Sequence, residues 1–256
     1  YLWSGSGSAK PVAVCHEILS GRGRNRVNAP ITDTATTVPF SFNGEKITAF
    51  GDETILQAAK RNGYEIPHLC YSDNLRADGN CRACMVEIDG ERALAPSCCR
   101  QPNNDMTVRG DSGRARKAQS LVLELLRGEV GSSHLSNRSE LDYWCDQLEV
   151  TGSRFGSRQQ LMEDASHPAI AVNLSACIQC TRCVRACREE QANDVIGFAH
   201  RGSHSEIVFD LGDPMGESSC VGCGECVQAC PTGALMPAGG VGLEVMDRTV
   251  DSVCPY

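Results

Sequence analysis

From residue 38 onward the apolar positions come in short runs broken by polar turns. FSFNGEKITAF (40–50) reads as two strands joined at Asn43-Gly44, a dipeptide that accepts the positive φ angles of a tight hairpin. TILQAAKRNG (54–63) reads as a helix, with Thr54 and Gln57 at capping-box spacing and Gly63 as the stop. CMVEI (84–88), RALA (92–95) and MTVR (106–109) are further short strands. One helix laid on a small mixed sheet is a β-grasp, so the first predicted unit, residues 38–110, is of the α+β class.

The period then changes. In AQSLVLELLRG (118–128), Ala118, Leu121, Val122, Leu125 and Leu126 recur at helical spacing, which predicts one core-facing stripe closed by Gly128. Residues 129–166 are polar and rich in Ser and Arg. They read as a connector with one helix near RQQLMEDA (158–165).

Composition narrows the class. The chain has 256 residues, 41% hydrophobic and 22% charged, which is globular and sufficient for one to three domains. A formal net charge of −8 argues against nucleic acid or an anionic membrane as partner. No apolar run reaches bilayer-spanning length. The sequence opens on Tyr1, which leaves room for residues upstream, and residues 1–37 read as an N-terminal extension. GRGRNR (21–26) is basic but has no apolar h-region, so it reads as a solvated arm rather than an export signal, and a cytoplasmic protein is expected.

Sixteen cysteines change the picture most. A secreted disulfide scaffold would be shorter, with its thiols spread along the chain. Structural zinc takes paired knuckles separated by a longer spacer. Here CIQCTRCVRAC (177–187) and CVGCGECVQAC (220–230) repeat one C-x2-C-x2-C-x3-C run at an offset of 43 residues. In that run three thiolates can wrap one corner of an iron–sulfur cubane while the fourth points away to the other cluster. The spacing therefore assigns Cys177, Cys180, Cys183 and Cys230 to one [4Fe-4S] cluster and Cys187, Cys220, Cys223 and Cys226 to a second. Pro231 turns the chain away after the second run, whereas Arg188 lets a short helix continue after the first. Arg182, Arg185 and Arg188 either raise the potential of the first cluster or form a solvated basic face.

A related pattern lies upstream. Cys70, Cys81, Cys84 and Cys98 are separated by ten, two and thirteen residues, a longer-looped variant of the plant-type [2Fe-2S] spacing. The loop holds Gly79 and Asn80, whose backbone N–H groups suit bridging sulfides. Cys98 and Cys99 compete for the last position, and the thirteen-residue spacing selects Cys98. Zinc is the alternative reading of this motif. Cys15, Cys99 and Cys145 read as plain thiols, and His68 as a structural or supporting residue beside Cys70.

The order of these parts resembles three relatives: the large peripheral subunit of respiratory complex I, the electron-input half of iron-only hydrogenases, and the α subunit of NAD-dependent formate dehydrogenases. The resemblance covers roughly residues 38–256, and residues 167–202 and 213–237 look most like the formate dehydrogenase subunit. It implies a β-grasp [2Fe-2S] ferredoxin domain, a helical connector (111–165) and a bacterial-type two-[4Fe-4S] ferredoxin domain (166–238). VDSVCPY (250–256) resembles the opening of the family's molybdopterin domain, so residues 239–256 would begin that domain and Cys254 would be the first ligand of a further [4Fe-4S] cluster; a lone thiol is the alternative. Relatives often carry a His-plus-three-Cys cluster in the connector. Here Ser139 and Tyr143 stand at two of its ligand positions, leaving His134 and Cys145 as too few donors, so no cluster is expected there.

The resemblance implies an electron wire. Formate would be oxidised at a molybdenum or tungsten bis-pterin centre in the rest of the α subunit, and electrons would pass to FMN- and NAD-binding iron–sulfur partner subunits. The rival readings are the input module of a hydrogenase or complex I-like enzyme, and a zinc-bearing scaffold.

Overall fold

A computed structural model describes residues 37–130, 139–156 and 161–239. Cys15, the 21–26 arm, His134 and Cys254 lie outside the described residues.

The first unit is built as its pattern dictates. Strands β1 (Thr37–Phe42) and β2 (Glu45–Phe50) pair antiparallel around Asn43 (φ 50) and Gly44 (φ 88), the left-handed pair that the Asn-Gly turn supplies. Helix α1 (Ile55–Arg61) opens on the Thr54/Gln57 capping box. It closes with Gly63 at φ 81, where Gly63 N–H donates to Lys60 O and Tyr64 N–H to Ala59 O. That double bond is a Schellman cap, which needs glycine at its left-handed position. Strands β3 (Met85–Ile88), β4 (Ala95–Pro96) and β5 (Thr107–Arg109) complete a sheet ordered β2-β1-β5-β3-β4, with β1 and β5 parallel. Of the expected strand at 92–95, Ala95 alone pairs; Arg92 to Leu94 are irregular, bending into β4. Ile55, Leu56, Ala58 and Ala59 of α1 bury against Phe40, Phe42, Val86 and Val108 of the sheet.

Helix α2 (Gly113–Val130) corrects the sequence reading twice. Its buried line is Ala115, Gln119, Leu123 and Val130, with Val122 and Leu126 packed beside it, whereas Leu121 and Leu125 are 39% and 42% exposed. The polar Gln119 belongs to the buried face because its amide donates to Met85 O (2.9 Å) and Gly110 O (3.2 Å). Gly128 does not end the helix; it is buried where a Cβ would sit 2.5 Å from Ser153 Oγ, so the following segment can cross closely.

The connector's helix also lies elsewhere than expected. Helix α3 (Glu140–Gln147) starts at a Ser139/Asp142 capping box. In the stretch expected to be helical, Leu161–Ala165 are irregular, because Asp164 bridges Val172 and its carboxylate accepts from Met215 N and Ser166 N.

The remaining residues repeat one motif. Strands β6 (Ile170–Val172) and β9 (Leu235–Pro237) pair antiparallel, as do β7 (Ile196–Ala199) and β8 (Glu206–Phe209). Helix α4 (Arg182–Arg185) runs on into a π turn, Ala186–Glu190, while α5 (Glu225–Ala229) stops before Cys230 and Pro231. The expected difference between the two runs is therefore present. Leu69, Cys70 and Ala83 of the first unit, Leu123 and Trp144 of the connector, and Cys183, Ile196 and Leu235 share one hydrophobic core.

Candidate metal centres

The first thiol set is held by the edges of the β-grasp. Cys70 precedes a loop, Cys84 leads into β3, and Cys98 follows β4. Ser97 pins two of them together: its N–H and its hydroxyl both donate to Cys84 O, at 3.0 and 2.8 Å. The first amides of α1 donate to the same turn, Leu56 N to Ser97 O and Ile55 N to Arg100 O. Cys70, Cys84 and Cys98 are buried and Cys81 half-buried. The thiols are hydrogen-bonded in a chain, Cys81 to Cys70 to Cys98 to Cys84. Those of Cys81 and Cys98 donate to Cys70 and hold it down to about 2, and the Cys98 thiol holds Cys84 down to about 7. Cys98 and Cys81 are pushed far up in return, by these donations first and burial next. Cys99 is exposed in a turn whose Cys99 and Arg100 amides both donate to Pro96 O, with its Sγ 3.6 Å from Cys98 Sγ, and it lies against Gly79 (φ 66), where a Cβ would meet its Sγ at 2.8 Å.

The two later runs share one backbone conformation. Gln179 (φ 56) and Thr181 (φ 64) are left-handed in the first, and Gly222 (φ 66) and Gly224 (φ 82) occupy the same places in the second. This turn aims amides at sulfur: Gln179 N donates to Cys177 Sγ (3.3 Å) and Gly222 N to Cys220 Sγ (3.4 Å). Thus the 43-residue repeat is a repeat of geometry as well as of cysteines.

Burial pushes the Cys180 thiol up, and Cys230 is the strongest of the thiols acting on it. Burial pushes Cys183 up too, followed by Cys180, Cys177 and Cys230. Cys226 is pushed up to about 12 by burial and then by Cys220, Cys223 and Cys187. Cys230 is thus near enough to act on the first run and Cys187 on Cys226 of the second, while Cys226 also acts on Cys183, so the two sets stand close together. Among the described residues no three Cys, His, Asp or Glu side chains close on one ion position.

The donors suit iron–sulfur clusters. They are all-thiol, mostly buried, arranged in fours and already served by backbone N–H groups. Arg182 Nε offers a further fit: it is buried with no acceptor among the described residues, and its charge acts on Cys180. A cluster sulfur is the kind of acceptor this pocket of thiols would add.

Sequence reasoning left the three arginines open, and the structure separates them. Arg182 and Arg185 are 5% and 4% exposed, whereas Arg188 is solvated and pairs with Asp194 at 2.6 Å. His68 does not join the thiols. Its Nδ1 meets Ile66 O at 2.8 Å, and its ring packs on Trp144 and Tyr71, joining the first unit to α3. Ser139 caps α3, Tyr143 donates to Glu65 (2.9 Å), and Cys145 is buried with Arg127 beside it. His167 was missed: its Nδ1 accepts from the Ala169 and Ile170 amides at 3.2 Å, and its ring lies against Gly222 between Cys220 and Cys223. The signal available was its place before Pro168, at the entrance to β6.

Comparison with known families defines the class. A 2Fe-2S iron-sulfur cluster binding domain matches residues 35–113, and the NADH-quinone oxidoreductase subunit 3 ferredoxin-like domain matches residues 167–236. The chain is thus an iron–sulfur electron-transfer module, with a 2Fe-2S domain followed by a ferredoxin-like 4Fe-4S domain. Among individual proteins, it is 29% identical to a subunit of the NADH-quinone oxidoreductase of Rickettsia bellii, over 77% of this chain and 29% of that protein. It is 31% identical to the mitochondrial NADH-ubiquinone oxidoreductase 78 kDa subunit of Candida albicans, over 66% of this chain and 25% of that one. The chain spans less than a third of these curated relatives. A crystal structure of an NAD+-reducing [NiFe]-hydrogenase in the H2-reduced state matches with a TM-score of 0.73 at 26% identity, covering 81% of this chain and 90% of that one.

Proposed function

We propose that this chain is an electron relay within an NAD(H)-linked oxidoreductase, holding one [2Fe-2S] and two [4Fe-4S] clusters on twelve cysteines. One observation carries the reading: Cys230 acts on the thiols of the first run and Cys187 on Cys226 of the second, on two runs that turn left-handed at the same two positions. Bound clusters supply one-electron redox chemistry. The chain's own residues supply thiolate ligands, backbone N–H donors to sulfur, and a setting, buried except at Cys223 and partly at Cys81, Cys220 and Cys230, that tunes potential. Cys70, Cys81, Cys84 and Cys98 would hold the [2Fe-2S] cluster. Cys177, Cys180, Cys183 and Cys230 would hold one [4Fe-4S] cluster, and Cys187, Cys220, Cys223 and Cys226 the other. Purified without oxygen, the chain should be brown and carry about ten irons with equal acid-labile sulfide. A colourless protein with stoichiometric zinc would overturn the relay.

Two finer readings name the reaction served. Resemblance at residues 167–202, 213–237 and 250–256 supports the α subunit of a formate dehydrogenase, with Cys254 as ligand of a further cluster beside a molybdenum or tungsten bis-pterin. The relatives in NADH dehydrogenases and in the NAD+-reducing hydrogenase support an electron-input subunit instead. Assay of the intact complex decides between them. Formate-driven NAD+ reduction supports the first. Hydrogen-driven NAD+ reduction, or NADH oxidation coupled to quinone without formate activity, supports the second.

A further inference from the structure

Two buried arginines of α4 cross from the ferredoxin-like domain to the 2Fe-2S domain. Arg185 Nη2 donates to Cys70 O at 2.6 Å and to Cys180 O at 3.3 Å, and its Nη1 donates to Arg76 O. One guanidinium thereby joins the main chain of a first-set cysteine to that of a second-set cysteine. Arg182 Nη1 donates to Leu69 O at 3.3 Å and to Glu140 Oε2 at 2.7 Å. Around them Thr181 Oγ1 donates to Asp78 Oδ2 (2.7 Å) and Asn80 Nδ2 to Thr181 Oγ1 (3.1 Å), so the 76–80 loop is tied to the start of α4. Leu75 packs with Ala186 and Ala229 on the same seam.

The choice of arginine has a physical reason. Its planar fork can reach carbonyls on two chain segments at once and stays charged when buried, which an ammonium or an amide cannot do together. Main-chain carbonyls satisfy the donors without neutralising the charge. Two carboxylates face them: Glu140, 43% exposed, pairs with Arg182 at 2.7 Å, and Asp78 stands 4.0 Å from Arg185 Nε. Arg182 is thus paired, whereas the Arg185 guanidinium is met mainly by carbonyls, so its charge is the less compensated one beside the two thiol sets, where water does not screen it.

We propose that Arg185, supported by Arg182, is a positioning residue that locks the Cys70 centre to the Cys180 centre and raises the reduction potential of both. The inference rests on the relay reading above. A cation held between the centres stabilises whichever of them has gained the electron, so it eases reduction of each. The same fork fixes their separation, on which electron exchange depends steeply.

The test is a redox titration of the full chain, purified without oxygen and followed by electron paramagnetic resonance. In Arg185→Gln the midpoints of the Cys70 and Cys180 centres should both move to more negative potential, and the magnetic interaction between them should weaken. Arg185→Lys, which keeps the charge and loses the fork, should restore the midpoints toward the parent while the interaction stays weak. Arg188→Gln removes a solvated charge from the same helical segment and should move neither midpoint. Unmoved midpoints in an iron-replete Arg185→Gln, or an equal shift in Arg188→Gln, would overturn the proposal. If Arg185→Gln does not retain its iron, Arg182→Gln decides: a negative shift at the same two centres supports the proposal, and parental midpoints overturn it. A parent chain with no iron–sulfur signal overturns the relay reading and this inference with it, whereas signals with unmoved midpoints overturn this inference alone.

Discussion

Leu123→Ala and Leu125→Ala, two residues apart on α2, separate the face read from sequence from the face the fold uses. Leu123 is fully buried in the core shared by all three segments, and Leu125 is 42% exposed. Truncating a fully buried leucine removes its transfer energy and leaves a cavity, at a cost of about 3–4 kcal/mol. Leu125 has lost little more than half its surface to the protein. The whole side chain is worth about 1.5–3 kcal/mol, so truncation there costs roughly 1 kcal/mol. Urea melts of the two variants and the parent, run side by side without oxygen and followed by tryptophan fluorescence, read this as midpoints. With a slope of roughly 2–3 kcal/mol per molar, Leu123→Ala should fall by more than about 1 M and Leu125→Ala by less than about 0.5 M. Equal midpoints, or the reverse order, would show that α2 presents the face predicted from its leucine spacing, and the packing described above would be wrong.

Three further outcomes are expected. Gln119→Leu makes α2 more apolar yet should destabilise by about 1–3 kcal/mol in the same melts, because the carbonyls of Met85 and Gly110 lose their shared donor; a midpoint at or above the parent's would refute this. Cys230→Ala should remove the cluster of the first run and Cys187→Ala that of the second, each lowering iron by about four atoms while the other signals persist. Loss of the Cys220 cluster in Cys230→Ala would reverse the assignment. Cys98→Ala should abolish the [2Fe-2S] resonance and Cys99→Ala should spare it, since Cys98 is buried among the other three thiols and Cys99 faces solvent; the opposite result moves the ligand.

Much of this molecule is readable along the chain because its signals are local. The Asn43-Gly44 turn, the Thr54/Gln57 box and the Gly63 cap are each decided within a few residues by backbone sterics and orphan N–H groups. The cysteine runs are equally local: the spacing that lets three thiols wrap one corner turns the fourth away, so counting alone leads to the expectation that Cys187 and Cys230 exchange. What the chain could not disclose is which face of an element meets another element. The leucines of α2 allow two neighbouring stripes, and a buried amide bonded to Met85 O and Gly110 O selects the one containing Gln119. Ser139 and Asp142 start a helix that composition alone made a polar connector, while Asp164, near the end of the stretch read as a helix, spends its carboxylate on the Met215 and Ser166 amides. The arginines around α4 show the same limit. Arg182, Arg185 and Arg188 are alike in sequence, but the first two are buried because the 69–76 segment, more than a hundred residues earlier, folds its carbonyls over them. Local spacing dictates which thiols can share a centre; long-range packing decides which charges lie between the centres, because burial depends on neighbours the chain brings from afar.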